Sequence, residues 1–248
     1  MYYKTRAEFT THDFEFIAES LGSTTTERNA IMALTGDPEG MTELLHRKIL
    51  FERSMTVPPV FLSISPQLFF YVFIYHALDR KHIATDDVVD YIAGICVEFR
   101  SSRSLWSFSS QGEKFIYTVD LLQLLGDVDR HQQYFLRRHI GNVSLFLTGF
   151  FPDVIFARSK NRGAPPMQYY EQIGRSQYET AAEESHTYEA EATPVLNTLA
   201  ERFVTIRAAL NLHADAYLHL SRQKRTLGKI ERQANTLDEQ SFKESLDL

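Results

Sequence analysis

One cysteine, Cys96, stands among the 248 residues, so neither a disulfide framework nor a cysteine-built zinc knuckle is available. That scarcity favours a reducing compartment, and a cytoplasmic location is expected. Glycine (11) and proline (8) together fill 19 positions, about 8% of the chain against about 12% on average. A fold with few tight turns follows. Basic excess is missing as well: 26 Lys and Arg face 32 Asp and Glu, a net charge of −6, and nothing in that balance invites nucleic acid. Long apolar runs are absent. Residues 54–78 carry no formal charge, but Pro58, Pro59 and Pro66 interrupt them, and the continuous apolar run covers only residues 68–75. That is far short of a bilayer span, so no membrane span is expected. The first eight residues, MYYKTRAE, lack the apolar core of a secretory signal. Glycine-rich phosphate loops, a G-x-S-x-G elbow, an H-E-x-x-H pair and repeats of 20–50 residues are all missing.

What is present is helix punctuation. Thr10 or Thr11 opens a first helix with Phe14, Ile17 and Leu21 on one face, and Gly22 ends it. Thr24 and Glu27 have capping-box spacing ahead of Ile31 and Leu34, with Gly36 as the stop. Asp37-Pro38 reads as N-cap and first residue of a helix carrying Met41, Leu44, Leu45 and Ile49. Ser65-Pro66 repeats that signal for the apolar helix through Leu78. Thr85-Asp86-Asp87 opens another, with Val88, Val89, Ile92, Ile95, Cys96 and Phe99 on one side. Six serines in residues 101–112, without helical period, predict a loop. Helices are expected over about 113–125 and 127–151, with Pro152 stopping the second. A loop at 158–163 then leads to a long helix from Pro165-Pro166 to about Glu189. Thr193-Pro194 begins the last helix.

That helix shows a heptad seam over residues 194–220: Leu196, Leu199, Phe203, Ile206, Leu210, His213, Tyr217 and Leu220 recur at spacings of three and four. The pattern breaks at Lys224. The fold expected is therefore all-α: a multi-helix, bundle-like single domain over residues 1–220, with eight or nine helices and the long C-terminal helix as a central or dimerising element. Residues 221–248 read as a polar helical extension or disordered tail.

Candidate chemistry is sparser. Asp86-Asp87-Val88-Val89-Asp90 resembles the DDxxD string with which all-α isoprenoid synthases hold magnesium against a diphosphate, because carboxylates on one helical face share hard cations. The second metal motif of that family has no counterpart here. Acidic residues in the first turn of a helix are also stabilised by its dipole without any metal. Two E-x-x-H strings, Glu43/His46 and Glu183/His186, match the spacing used by carboxylate-bridged metal bundles, where Glu15 or Glu98 could supply a bridge. Both pairs sit off the apolar faces of their helices, and chance supplies such strings readily. No metal and no cofactor is expected.

Arg130, His131, Arg137, Arg138 and His139 form a basic stretch that could meet an anion or, more simply, lie on a solvated face. His213 falls in the seam, where a core histidine with a hydrogen-bonded ring nitrogen is the ordinary outcome. Cys96 lies on an apolar face, as an inert core thiol does. Residues 141–185 are the least conventional. Gly141, Ser144, Thr148 and Gly149 make a small-residue stripe, while Tyr170, Ile173, Gly174, Gln177, Tyr178, Ala181, Ala182 and Ser185 share one face of a later helix. Either two helices pack tightly through these residues, or they line a ligand pocket with Tyr170, Gly174, Tyr178, His213, Arg137, Arg138 and His139 as binding residues. The favoured function is a helical interaction protein without catalytic machinery, with a protein partner or self-association through the 194–220 helix. A small-molecule binder or enzyme using the Tyr/Gly face is the alternative.

Overall fold

The computed structural model describes residues 3–56, 64–100 and 118–223, with backbone alone at 161, 162 and 218–223. Eleven α-helices and two short 3-10 turns make up the described residues, and no strand occurs among them. The all-α, multi-helix expectation holds. The serine-rich stretch at 101–112, the start of the helix expected from 113, and the tail beyond 223 lie outside the described residues.

The helices fall into two compact units, residues 3–97 with the end of the last helix from Tyr217, and residues 98–216. In the first, a 3-10 turn at Thr5–Glu8 precedes α1 (Thr11–Leu21), α2 (Thr25–Leu34), α3 (Pro38–Leu45), α4 (Lys48–Thr56), α5 (Pro66–Asp79) and α6 (Asp86–Phe99). The start signals act as the sequence implies. Thr10 with Asp13, and Thr24 with Glu27, close reciprocal capping boxes. Asp37 and Ser65 each cap a helix whose first residue is proline. Much of the core comes from α5 and α6: Leu68, Tyr71, Val72, Ile74 and Leu78 of the first and Val88, Val89, Ile92, Ile95 and Cys96 of the second are at most 2% exposed.

One expected helix is two. The run from Asp37 through Ile49 breaks at His46, the C-cap of α3, and restarts as α4 after Arg47. The break resets the register, so Leu50 and Phe51 turn inward while Ile49 is left 50% exposed.

The second unit holds α7 (Thr118–Leu124), α8 (Arg130–Phe150), α9 (Pro152–Arg162), α10 (Met167–Tyr188), a 3-10 turn at Ala190–Ala192 and α11 (Thr193–Gln223). Asp129 and Gln132 cap α8 with a third capping box. Every residue of α8 from Arg138 to Gly149 is buried, so this helix is enclosed on all sides. Pro152 does stop it, but as the first residue of α9, which turns 91° away and runs through the expected loop at 158–163. Gly163, at φ 66°, ends α9 in the left-handed conformation that glycine tolerates best. In α11, Leu196, Leu199, Phe203, Ile206, Leu210 and His213 are all buried within the unit. The heptad seam is spent on the chain's own core and leaves Val204 and Leu212 outward at 43% and 63% exposure. Among the described residues, no single helix is long and apolar enough to cross a membrane.

Candidate functional site

The densest polar cluster lies in the first unit and gathers around Arg6. Asp86 and Asp90 are one turn apart on α6 and project from one face, while Asp87 points to solvent. Asp90 is buried on a face otherwise made of Val89, Ala93 and Ile92, a position that demands a countercharge. Arg6 supplies it. Its backbone N–H donates to Asp90 Oδ1 at 2.9 Å, its Nε to Asp90 Oδ2 at 2.8 Å and its Nη1 to Asp86 Oδ2 at 2.6 Å. Thr42 of α3 accepts from Arg6 Nη1 at 3.0 Å and donates to Asp86 Oδ2 at 2.8 Å. The Tyr71 hydroxyl donates to Asp86 Oδ1 at 3.2 Å, and the guanidinium carbon lies 5.4 Å from that ring's centre.

His46, half of one E-x-x-H string, completes the cluster with Nε2 3.3 Å from Asp86 Oδ1 and its ring stacked on Tyr75 at 3.7 Å. Its partner in the string is elsewhere: Glu43 is exposed and pairs with Arg47. Burial holds the His46 imidazole below its usual pKa despite Asp86 and Asp79. Burial likewise pushes the Tyr71 hydroxyl up. For Asp86 burial acts upward, but the Thr42 hydrogen bond and Arg6 outweigh it and bring the carboxyl below its ordinary value. Nearby, His76 lies between Phe51 and Tyr75, and burial lowers its pKa to about 4. The DDxxD string thus holds an arginine. Among the described residues, no group of three or more His, Cys, Asp or Glu is placed to hold a metal ion, and Glu183 and His186 are exposed.

In the second unit the basic stretch divides. Arg130 and His131 face solvent, whereas Arg138 and His139 are 6% and 8% exposed, so the solvated-face expectation fails for them. Arg138 is ion-paired with Glu189 and lies over the Tyr134 and Phe135 rings. Tyr134 also donates to Glu189, at 3.1 Å, and burial raises its pKa to about 12. Arg137 reaches α10, donating to Gln177 Oε1 at 3.2 Å and lying 3.3 Å from Glu184. His139 sits edge-on to Phe99.

The small-residue faces of α8 and α10 meet. A Cβ on Gly141 would lie 2.7 Å from the Tyr178 ring, so that ring lies flat across the glycine, and its hydroxyl donates to Asn142 Oδ1 at 2.8 Å. A Cβ on Gly174 would lie 2.5 Å from the Phe203 ring of α11 and 2.9 Å from Ser144 Cβ. The space in front of Gly174 is therefore filled by a phenylalanine. Tyr170 is half-buried beside Tyr169, and His213 is buried in the seam.

No family model matches the chain, no curated protein matches its sequence, and no solved structure matches its fold. Arg6, Thr42, Tyr71, Glu189 and Phe203 were not among the residues the sequence nominated. Asp90 on the buried side of α6 was the one local signal that an unassigned cation had to be near.

Proposed function

We propose that the protein is a helical binding module that engages another protein and carries no catalytic machinery. The observation that carries this reading is where the nominated polar groups point. Asp86 and Asp90 are occupied by Arg6, Arg138 by Glu189, Arg137 by Gln177 and Glu184, and the Tyr178 hydroxyl by Asn142. Groups arranged for chemistry converge on a space where a reacting atom can sit. Here they converge on one another.

The surface that supports partner binding is α2. None of its ten residues is buried, yet its last turn carries Ile31, Met32 and Leu34, with Met32 37% and Leu34 46% exposed. Scattered exposed apolar side chains are ordinary, whereas several within one turn of an otherwise bare helix favour docking. The seam of α11 from Leu196 to His213 is less well suited, because those side chains are buried. A small-molecule site on the Tyr/Gly face is less well supported, since Phe203 fills the space before Gly174. The single buried thiol, Cys96, fits a cytoplasmic setting.

The test is the double variant Met32→Glu/Leu34→Glu. Exposed positions away from caps and cores change stability by about 0.5 kcal/mol or less. The thermal midpoint should therefore hold while a complex formed by the wild-type protein is lost. An unchanged complex, or a collapse of the fold, contradicts the reading.

A further inference from the structure

Residues 3–9 lie as a strap across α5 and α6, held chiefly through Tyr3, Thr5, Arg6 and Phe9, with Gln67 of α5 also donating to Glu8 Oε2 at 3.0 Å. The Tyr3 ring occupies the notch at Gly94, where a Cβ would come within 2.4 Å of Tyr3 Cβ, and meets Tyr91 edge-on at 5.2 Å. The Thr5 hydroxyl donates to the Asp90 carbonyl oxygen at 2.7 Å. Arg6 fills the acidic fork of Asp86, Asp90 and Thr42. Phe9 meets Tyr71 edge-on at 6.0 Å. Between these anchors Lys4, Ala7 and Glu8 face outward. This is the layout of a bound peptide: anchors in defined seats, more exposed residues between them, and a charge-assisted fork setting the register.

We propose that this seat is a peptide-recognition site, occupied in the isolated chain by its own N-terminal segment, and that its partner is a segment of another protein bearing a tyrosine three residues before an arginine. The chemistry of the seat sets the preference. Gly94 admits a ring only because no side chain stands there. Asp90 takes both the backbone N–H and the Nε of one arginine, and Asp86 takes its Nη1, a three-point match that a lysine ammonium cannot make. The resident strap acts as a competitor, tethered and therefore at high effective concentration. A partner gains access by outcompeting it. This site is separate from the α2 surface, so the failure of one leaves the other standing.

The experiment uses the full chain with Arg6→Ala, which vacates the fork, and a fluorescein-labelled peptide of residues 1–9. Arg6→Ala should bind the peptide at least tenfold more tightly than wild type, and added peptide should raise its melting temperature. Replacing the peptide's arginine by lysine or alanine should weaken binding at least tenfold, as should adding Asp90→Asn to the protein. If Arg6→Ala does not fold, Tyr3→Ala, which empties only the Gly94 notch, takes its place. Failure of both to fold makes the strap part of the core and overturns the proposal. Folded variants that ignore the peptide also overturn it.

Discussion

Adding one methyl group at Gly174 should destabilise the protein, although alanine is the better helix former. The gain in helix propensity is about 0.5–1 kcal/mol. Against it stands the geometry: the new Cβ would lie 2.5 and 2.6 Å from two Phe203 ring atoms and 2.9 Å from Ser144 Cβ, and both neighbours are fully buried. A ring enclosed in a core cannot step aside without displacing α11, and overpacking of this kind costs about 1–3 kcal/mol. A net loss of about 1 kcal/mol is expected for Gly174→Ala, and more for Gly174→Leu. Gly149 is the internal control. Its Cβ would lie 3.1 Å from Leu210 Cδ1 and 3.3 Å from Leu210 Cβ, a tight but milder contact, so Gly149→Ala should cost less than Gly174→Ala. Urea unfolding at unchanged m reads the difference, and the thermal midpoint should fall by about 2–4 °C per kcal/mol in a chain of this size. If Gly174→Ala is as stable as Gly149→Ala or more so, Phe203 does not fill that space, and a pocket at the Tyr/Gly face regains its room.

Three further outcomes are expected. Tyr178→Phe should cost about 1–2 kcal/mol in urea unfolding, because it removes a buried donor from Asn142 Oδ1. Glu43→Ala, which cuts an exposed ion pair to Arg47, should cost under about 0.5 kcal/mol, whereas Glu189→Gln should cost about 1.5–3 kcal/mol, since Arg138 is buried. Stability should fall as pH drops from about 6.5 toward 4. Burial depresses His76 to about 4 in the folded chain, so the unfolded chain binds the extra proton throughout that window. His46 acts in the same direction. His76→Phe should flatten the dependence of melting temperature on pH between 6.5 and 4, and an unchanged slope refutes the assignment.

The elements were legible where a single local interaction decides them. Thr10, Thr24, Asp37 and Ser65 each satisfy a free N–H of the helix that follows, and each announces itself by residue type and spacing. The seam of α11 was legible for the same reason, but not its destination, because a heptad pattern is identical whether a partner or the chain's own core covers it. The break at His46 and the helix α9 were hidden. No glycine or proline marks the first, and Pro152, which ends one helix, equally well begins another. The sites were least legible. Asp86 and Asp90 look like a metal string because the countercharge that neutralises them lies 80 and 84 residues away. Likewise the Tyr/Gly face reads as open until Phe203 of a third helix is set against it.

The most direct test of the binding reading is a photo-crosslinking scan from α2. A benzophenone side chain placed at Met32 should yield one discrete heterologous adduct in the cell, and Leu34→Glu in the same chain should abolish it. A benzophenone at Lys48, whose side chain is 81% exposed on α4, should give no such band. No adduct from position 32, or the same adduct from position 48, would contradict the claim that α2 is where this protein meets its partner.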